Sequence, residues 1–232
     1  MLLDAGNSLV GDQDPALKSR GATSIEAMNL LGYDAMALGA GDLALGLDVL
    51  QQRRGEAHFP FLSANVVLSD TGRLLATPYV TREVGHLRLA LIGLTDAPPN
   101  PVPGLSVGDP VLAAARAVSE ARAQADLILL LSHAGRAVDQ RMADEVPGVN
   151  WILGGGSEGM TTEPIVNERT GVVILQAGNA SAGHAGMTIG VAHLTIEAGG
   201  RLLAPQWKTI LLSQGFADDP DLANWRLSEG SR

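Results

Sequence analysis

The sequence predicts an α/β fold on three observations. Short unbroken apolar runs at 35–38 and 127–131 have the length and continuity of strands buried on both faces. Segments with helix start and stop residues separate such runs, as in the stretch opened by Asp109-Pro110. The runs also end in small, glycine-rich loops, Gly39-Ala40-Gly41-Asp42, Ser132-His133-Ala134-Gly135 and Gly154-Gly155-Gly156-Ser157-Glu158. Loops at the carboxyl ends of strands are where α/β proteins place their chemistry. With 232 residues, 46% of them apolar, the chain can bury a sizeable core and reads as one domain, 1–215 as the core and 216–232 as the start of a linker helix or tail.

Taken in order, residues 1–4 form a strand that ends at the Gly6 turn, and 11–15 form a polar loop. Thr23-Ser24-Ile25-Glu26 is a capping box that starts a helix through Leu31, and Gly32 stops it. A strand over 35–38, a helix over 47–53 and a buried strand over 61–67 follow. Strands over 78–83 and 87–94 pair around Gly85-His86. Residues 95–103 carry four prolines, each lacking a backbone donor and restricting the residue before it, so they form a long surface loop. Asp109 caps and Pro110 opens a helix to about Ala125, with Leu112, Ala115, Val118, Ala121 and Arg122 spaced for one face. A strand over 126–131, a helix over 138–146 and late strands over 172–177, 187–197 and 206–212 complete the alternation.

Composition removes several function classes. The formal charge is −9 and no basic run exceeds Arg53-Arg54, which leaves no surface for nucleic acid. Aromatics make up 3% of residues, too few for base-stacking platforms. No stretch has the length and apolarity of a membrane span. The N-terminus lacks a basic n-region and a cleavage site, so the chain as written is cytoplasmic, or extracytoplasmic if an upstream segment has been trimmed. The absence of cysteine excludes disulfides and thiolate sites and leaves the compartment open. Gly39, Gly41 and Gly46 do not make a dinucleotide fingerprint, and no Walker lysine follows Gly154-Gly155-Gly156.

Several motifs occur in a fixed order: Met28-Asn29-Leu30-Leu31-Gly32, the 33–46 stretch, Leu62-Ser63-Ala64-Asn65, Leu131-Ser132-His133-Ala134-Gly135 and Gln176-Ala177-Gly178. Together, from Met1 to about Leu222, they resemble the 5'-nucleotidase branch of the calcineurin-like metallophosphoesterases. The resemblance implies a four-layer α/β/β/α sandwich of two mixed sheets flanked by helices. It also implies a site of two metal ions about 3.5 to 4 Å apart that make a hydroxide for in-line displacement. The family's Gly-Asn-His-Glu-Phe-Asp loop reads Gly39-Ala40-Gly41-Asp42-Leu43-Ala44 here, so the amide ligand, the catalytic imidazole and its carboxylate partner are replaced. Asn7 stands where the family has a metal-bridging Asp, and Gly156 and Glu158 stand at two histidine places. Only His133 matches a ligand. The family's opening Asp-x-His segment would lie before Met1 and its second, nucleotide-gripping domain after the last helix, so the expectation is a degenerate member lacking both in the sequence as written.

The expected site is therefore a vestigial rim of Asn7, Ala40, Gly41, Asp42, His133, Gly156 and Glu158, with no catalytic residue and no cofactor. The alternative is one weakly held divalent ion (Mn, Zn or Mg) on His133, Glu158 and Asn7. His133 reads either as a ligand or as a hydrogen-bonded residue at a strand end, Asp42 as a helix cap or a catalytic acid, and Glu158 as a loop acid or a substitute ligand. His58, His86, His184 and His193 fall outside every motif. Two functions follow: a non-catalytic binding or structural subunit, or a hydrolase of nucleotides or other phosphoesters with a reduced or partner-completed metal site. The expected partner is a second copy or another protein, covering the place of the absent first strand unless a late segment such as 206–212 closes it.

Overall fold

A computed structural model describes residues 1–9, 16–156, 159–177, 188–195, 205–213 and 215–229. In chain order the elements are β1 (Leu3–Asp4), α1 (Ala22–Leu31), β2 (Ala35–Ala37), α2 (Ala40–Leu43), α3 (Leu47–Glu56), β3 (Phe61–Leu62) and β4 (Val66–Leu68). Then come β5 (Tyr79–Val84), β6 (Leu87–Thr95), β7 (Leu105–Val107), α4 (Pro110–Ala121), β8 (Leu127–His133) and α5 (Arg136–Glu145). The last are β9 (Trp151–Gly154), β10 (Ile165–Val166), β11 (Val173–Gln176), β12 (Thr188–His193), β13 (Gln206–Leu211) and α6 (Pro220–Glu229). No helix among the described residues is long and apolar enough to cross a membrane.

Two sheets dominate. β1, β2 and β3 form a small parallel sheet, and a larger mixed sheet runs in the order β10-β11-β9-β8-β6-β5, parallel in its centre and antiparallel at both edges. The unbroken apolar runs serve both faces of these sheets, because successive strand side chains point to opposite sides. In β6, Leu89 and Leu91 enter the core between the sheets, whereas Ala90, Ile92 and Leu94 pack with α4 and α5 residues such as Ala114 and Met142. β8 divides Leu127, Leu129 and Leu131 from Ile128 and Leu130 in the same way. In the small sheet Ala35 and Ala37 enter the shared core, while Met36 lies with Ile25, Met28 and Leu50 of α1 and α3. The result is the four-layer α/β/β/α sandwich that the resemblance implied. Each fully buried leucine or isoleucine contributes about 1.5 to 3 kcal/mol.

The sheets meet at Gly93. Its carbonyl accepts from Ala64 N at 2.8 Å and its N–H donates to Pro78 O at 3.2 Å. A Cβ there would lie 2.3 Å from Leu62 O, so only glycine allows the approach. The expected continuous strand over 61–67 is broken at this point. Asn65 turns its side chain inward to donate to Thr95 O at 2.7 Å and Gly108 O at 3.0 Å, and to accept from Thr95 N at 2.9 Å. Those bonds end β3 and redirect the chain as β4, which pairs with the unexpected β7.

Other expectations need correction. The capping box is absent: α1 starts at Ala22 after Gly21 (φ 85°), which seats closely on Leu9. Ser24 Oγ donates to Leu9 O at 2.8 Å, and Ser19 Oγ accepts from Thr23 N at 3.1 Å. In α4 the Asp109 cap and Pro110 start hold, with Asp109 Oδ1 accepting from Leu112 N at 2.9 Å. The helix ends at Ala121, however, and its buried face is Val111, Ala113, Ala114, Ala117, Val118 and Ala121, leaving Leu112 65% exposed. The segment over 206–212 does not close the small sheet, because β13 pairs with β12 and packs the half-buried Trp207 against the shared core. Residues 11–15, 187 and 196–197 lie outside the described residues.

Gly93→Ala should destabilise the protein by at least about 3 kcal/mol, since backbone rather than a yielding side chain blocks the added methyl. Urea denaturation followed by circular dichroism measures this, and a loss below about 1 kcal/mol would show that the sheets separate readily at this crossing.

Candidate functional site

Six strand ends converge on one rim. In the large sheet the parallel register sets Thr95 beside His133, Ser132 beside Gly154, and Gly154 beside Gln176. From the small sheet, the loop after β1 brings Asp4 to Asn7 and the loop after β2 brings Gly39 to Asp42. Gly155 presses on this side, since a Cβ there would lie 2.6 Å from Ala5 O.

Asp42 is completely buried and ties the small-sheet loops together. Its Oδ2 accepts from Asn7 N at 2.8 Å and Gly39 N at 2.9 Å, and its Oδ1 accepts from Leu9 N at 3.0 Å. It thus closes the start of the short helix α2, rather than capping the later helix α3, and clips the N-terminal loop to α2. Burial pushes its pKa up to about 6, against the pull of the three amides, and the charge of Asp4 adds to the rise. Asp4 is itself raised by burial while accepting from Ser8 Oγ at 2.6 Å and Gly6 N at 2.8 Å.

Asn7 has a left-handed backbone (φ 63°) and folds its side chain onto the neighbouring loop. Its Oδ1 accepts from Gly41 N at 2.7 Å. A Cβ at Gly39 would lie 2.3 Å from that oxygen, so the glycine in the loop makes room for the amide.

His133 is 7% exposed, and its Nδ1 lies 2.9 Å from Asp96 Oδ1, which also accepts from Ala40 N at 2.8 Å. Burial works against a charged imidazole, but the hydrogen bond and charge of Asp96, and then the charge of Asp42, outweigh it and raise the pKa. A carboxylate that only accepts places the proton of the neutral ring on Nδ1. Asp96 is the residue that sequence reasoning missed by assigning 95–103 to a surface loop. The signal was present, because an acid directly after β6 stands at the same sheet end as the histidine that ends the parallel neighbour β8.

At the third loop, a Cβ on Gly156 would meet Gly135 Cα at 3.4 Å, an ordinary contact. Glu158 lies outside the described residues, as do Ser157 and His184. Gln176, 1% exposed, accepts from Arg136 Nε at 2.9 Å. Ser132 Oγ donates to the buried Asp139 at 2.5 Å. His58, His86 and His193 are exposed.

The described residues do not fit a binuclear metal centre. Asn7 Oδ1 and both Asp42 oxygens accept from backbone amides, Asp96 holds His133 Nδ1, and Ala40 and Gly156 carry no side-chain donor atom. Among the described residues no group of three or more His, Asp or Glu is placed to hold an ion.

No family model matches the chain. It is 28% identical over 193 residues to the 5'-nucleotidase of Vibrio cholerae, covering 75% of this chain and 34% of that protein. Identity to the 5'-nucleotidase of Bos taurus is 27% over 252 residues, covering 98% of this chain and 44% of that one. The structure of a 5'-nucleotidase precursor from Thermus thermophilus matches with a TM-score of 0.83 and 31% identity, over 98% of this chain and 48% of that chain. A calcineurin-like phosphoesterase from Bacillus subtilis shares the fold at a TM-score of 0.76 and 21% identity, over 99% of this chain and 82% of that chain. The chain thus spans about a third of the length of the Vibrio cholerae relative.

The buried pair of titrating groups gives a pH dependence. Asp42 is raised from 3.8 to about 6, so between those values the folded state binds a proton that the unfolded state lacks. Stability from this group is full below about 3.8 and is lost as pH rises through about 6. His133 acts in the same direction at higher pH, its contribution being complete below 6.5 and lost above. The urea midpoint should therefore fall as pH rises through the Asp42 window, and Asp42→Asn should flatten that fall. Asp42→Ala, which strands three amides, should cost at least about 3 kcal/mol. A pH profile identical in wild type and Asp42→Asn would contradict the assignment.

Proposed function

We propose, from the premise that this chain belongs to the 5'-nucleotidase branch of the calcineurin-like metallophosphoesterases, that it serves as a non-catalytic binding or structural domain on that scaffold. One observation carries this reading: both Asp42 oxygens, Asn7 Oδ1 and Asp96 Oδ1 are spent on the rim itself. Asp42 serves three amides, Asn7 serves Gly41, and Asp96 joins Ala40 to His133. Gly41 offers no general acid and Ala44 nothing to orient one. Loss of groups that merely support a ligand already costs about ten- to a hundredfold in metal affinity, and here ligand side chains themselves are replaced. The partner in this reading is a protein, a second copy or another chain, added along β1, whose only strand neighbour among the described residues is β2.

A second reading, a phosphoester hydrolase using one divalent ion, is favoured by the His133–Asp96 pair. A carboxylate on one ring nitrogen is the arrangement that orients a metal-ligating imidazole and raises its basicity. Assays of adenosine monophosphate and p-nitrophenyl phosphate with manganese or cobalt, alongside elemental analysis, separate the two. The expected result is background hydrolysis and less than one ion per chain. Metal-stimulated turnover that His133→Ala abolishes would overturn the non-catalytic reading.

A further inference from the structure

We propose that a groove on the outer helical layer, between α3 and the turn after β4, binds an anionic headgroup, carboxylate or phosphate, carried on a short apolar body. The groove is open to solvent, has a volume of about 420 Å3 and is lined by Gln51, Arg54, Leu68, Arg73, Leu74 and Leu75. That volume lies in the range of small-molecule sites, which combine apolar walls with a few convergent polar groups. A narrow slit of about 10 Å3 shares Gln51, Arg54 and Leu75 with it and is lined further by Leu38, Leu50 and Phe61 of the underlying core. The site is remote in residue content from the rim, so it goes beyond the proposed function and does not depend on it.

Charge selects the ligand. The chain carries 25 acids against 16 Lys and Arg, yet the only charged residues lining this groove are two arginines. Neighbouring acids do not line it. Glu56 pairs at 2.9 Å with Arg53, which is 5% exposed and lines neither the groove nor the slit. Asp70, in the same turn as Arg73, is not a lining residue.

One of the two guanidinium groups is held by a hydrogen bond, and the other is carried on a fixed turn. Arg54 Nη1 donates to Leu75 O at 2.6 Å, which orients the guanidinium and leaves most of its five donors for a ligand. The turn that carries Arg73 is fixed by Leu68 N donating to Arg73 O at 2.8 Å and by the bridge between Val67 and Leu74. The planar fork of a guanidinium matches the oxygens of a carboxylate or phosphate, and two such side chains line the groove. Leu68, Leu75 and the 39% exposed Leu74 supply the wall for an apolar chain.

Titration of the isotope-labelled full chain with hexanoate and with hexyl phosphate, followed by amide NMR, tests the site. Saturable shifts should localise to 51–54 and 73–75, and the tighter of the two compounds identifies the headgroup. Hexanamide, with the same body and no charge, should bind about tenfold or more weakly. Arg73→Glu should weaken binding of both anions by a similar factor while keeping the thermal midpoint, since the Arg73 side chain makes no ion pair among the described residues. Absence of saturation with both anions, equal binding of hexanamide, or unchanged affinity in Arg73→Glu would each overturn the proposal. Because the measurement is made without metal and away from the rim, its failure leaves the reading of the rim intact, and metal-stimulated hydrolysis would leave this site intact.

Discussion

The rim depends on one buried carboxylate. Asp42 receives the amides of Asn7, Gly39 and Leu9, groups from two chain segments that share no strand pairing at that point. A buried acid without donors would cost several kcal/mol and neutralise itself, whereas three amides make an ionised or protonated form tolerable. The bonds set where the loop after β1 lies against the start of α2. Asn7 can then adopt its left-handed backbone and reach Gly41, and Gly6 comes close enough to His133 that a Cβ would stand 2.9 Å from the ring. The geometry of the remaining imidazole is therefore set from the small sheet as well as from its own strand.

This arrangement separates shape from chemistry. The resemblance places a glutamate at Asp42, and a carboxylate one methylene shorter still closes the loop by accepting amides. Around it, positions that would present oxygen and nitrogen to a metal pair present a methyl at Ala40 and hydrogen at Gly156. Asp96 acts as a bridge between Ala40 and His133. A scaffold can persist under such exchange because its stability comes from the two large cores and the interlocked sheets, which the rim side chains do not enter.

Much of the fold was legible because buried parallel strands announce themselves as unbroken apolar runs, and 35–38 and 127–131 are placed accordingly. Proline and aspartate marked the start of α4 for the same local reason. The errors arise where tertiary contacts overrule local signals. Thr23-Ser24-Ile25-Glu26 has capping chemistry, but Leu9 takes the Ser24 hydroxyl and Gly21 starts the helix. Leu112 fits an amphipathic count begun one residue late, and the small residues Ala113, Ala114 and Ala117 form the buried face, where apolarity per residue is low. Asn65 inside an apolar run gives no local warning that it will split the strand, because its partners Thr95 and Gly108 are distant in sequence.

For the site, the sequence identified the three loops but could not show what their side chains do. Asp42 read as a cap or an acid, with the cap favoured, and both its oxygens accept from backbone amides. The glycines offered the same ambiguity, since a glycine-rich loop after a strand can equally cradle a phosphate. At Gly39 the hydrogen is required by Asn7 Oδ1, at Gly155 by Ala5 O and at Gly93 by Leu62 O. Each contact is internal to the fold. Gly156 differs, because a side chain there meets its neighbours at ordinary distance. Close packing thus dictates glycine at the first two loop positions and does not dictate it at the third, so of the replaced ligand places Gly156 is one where packing by itself does not account for the loss of the imidazole.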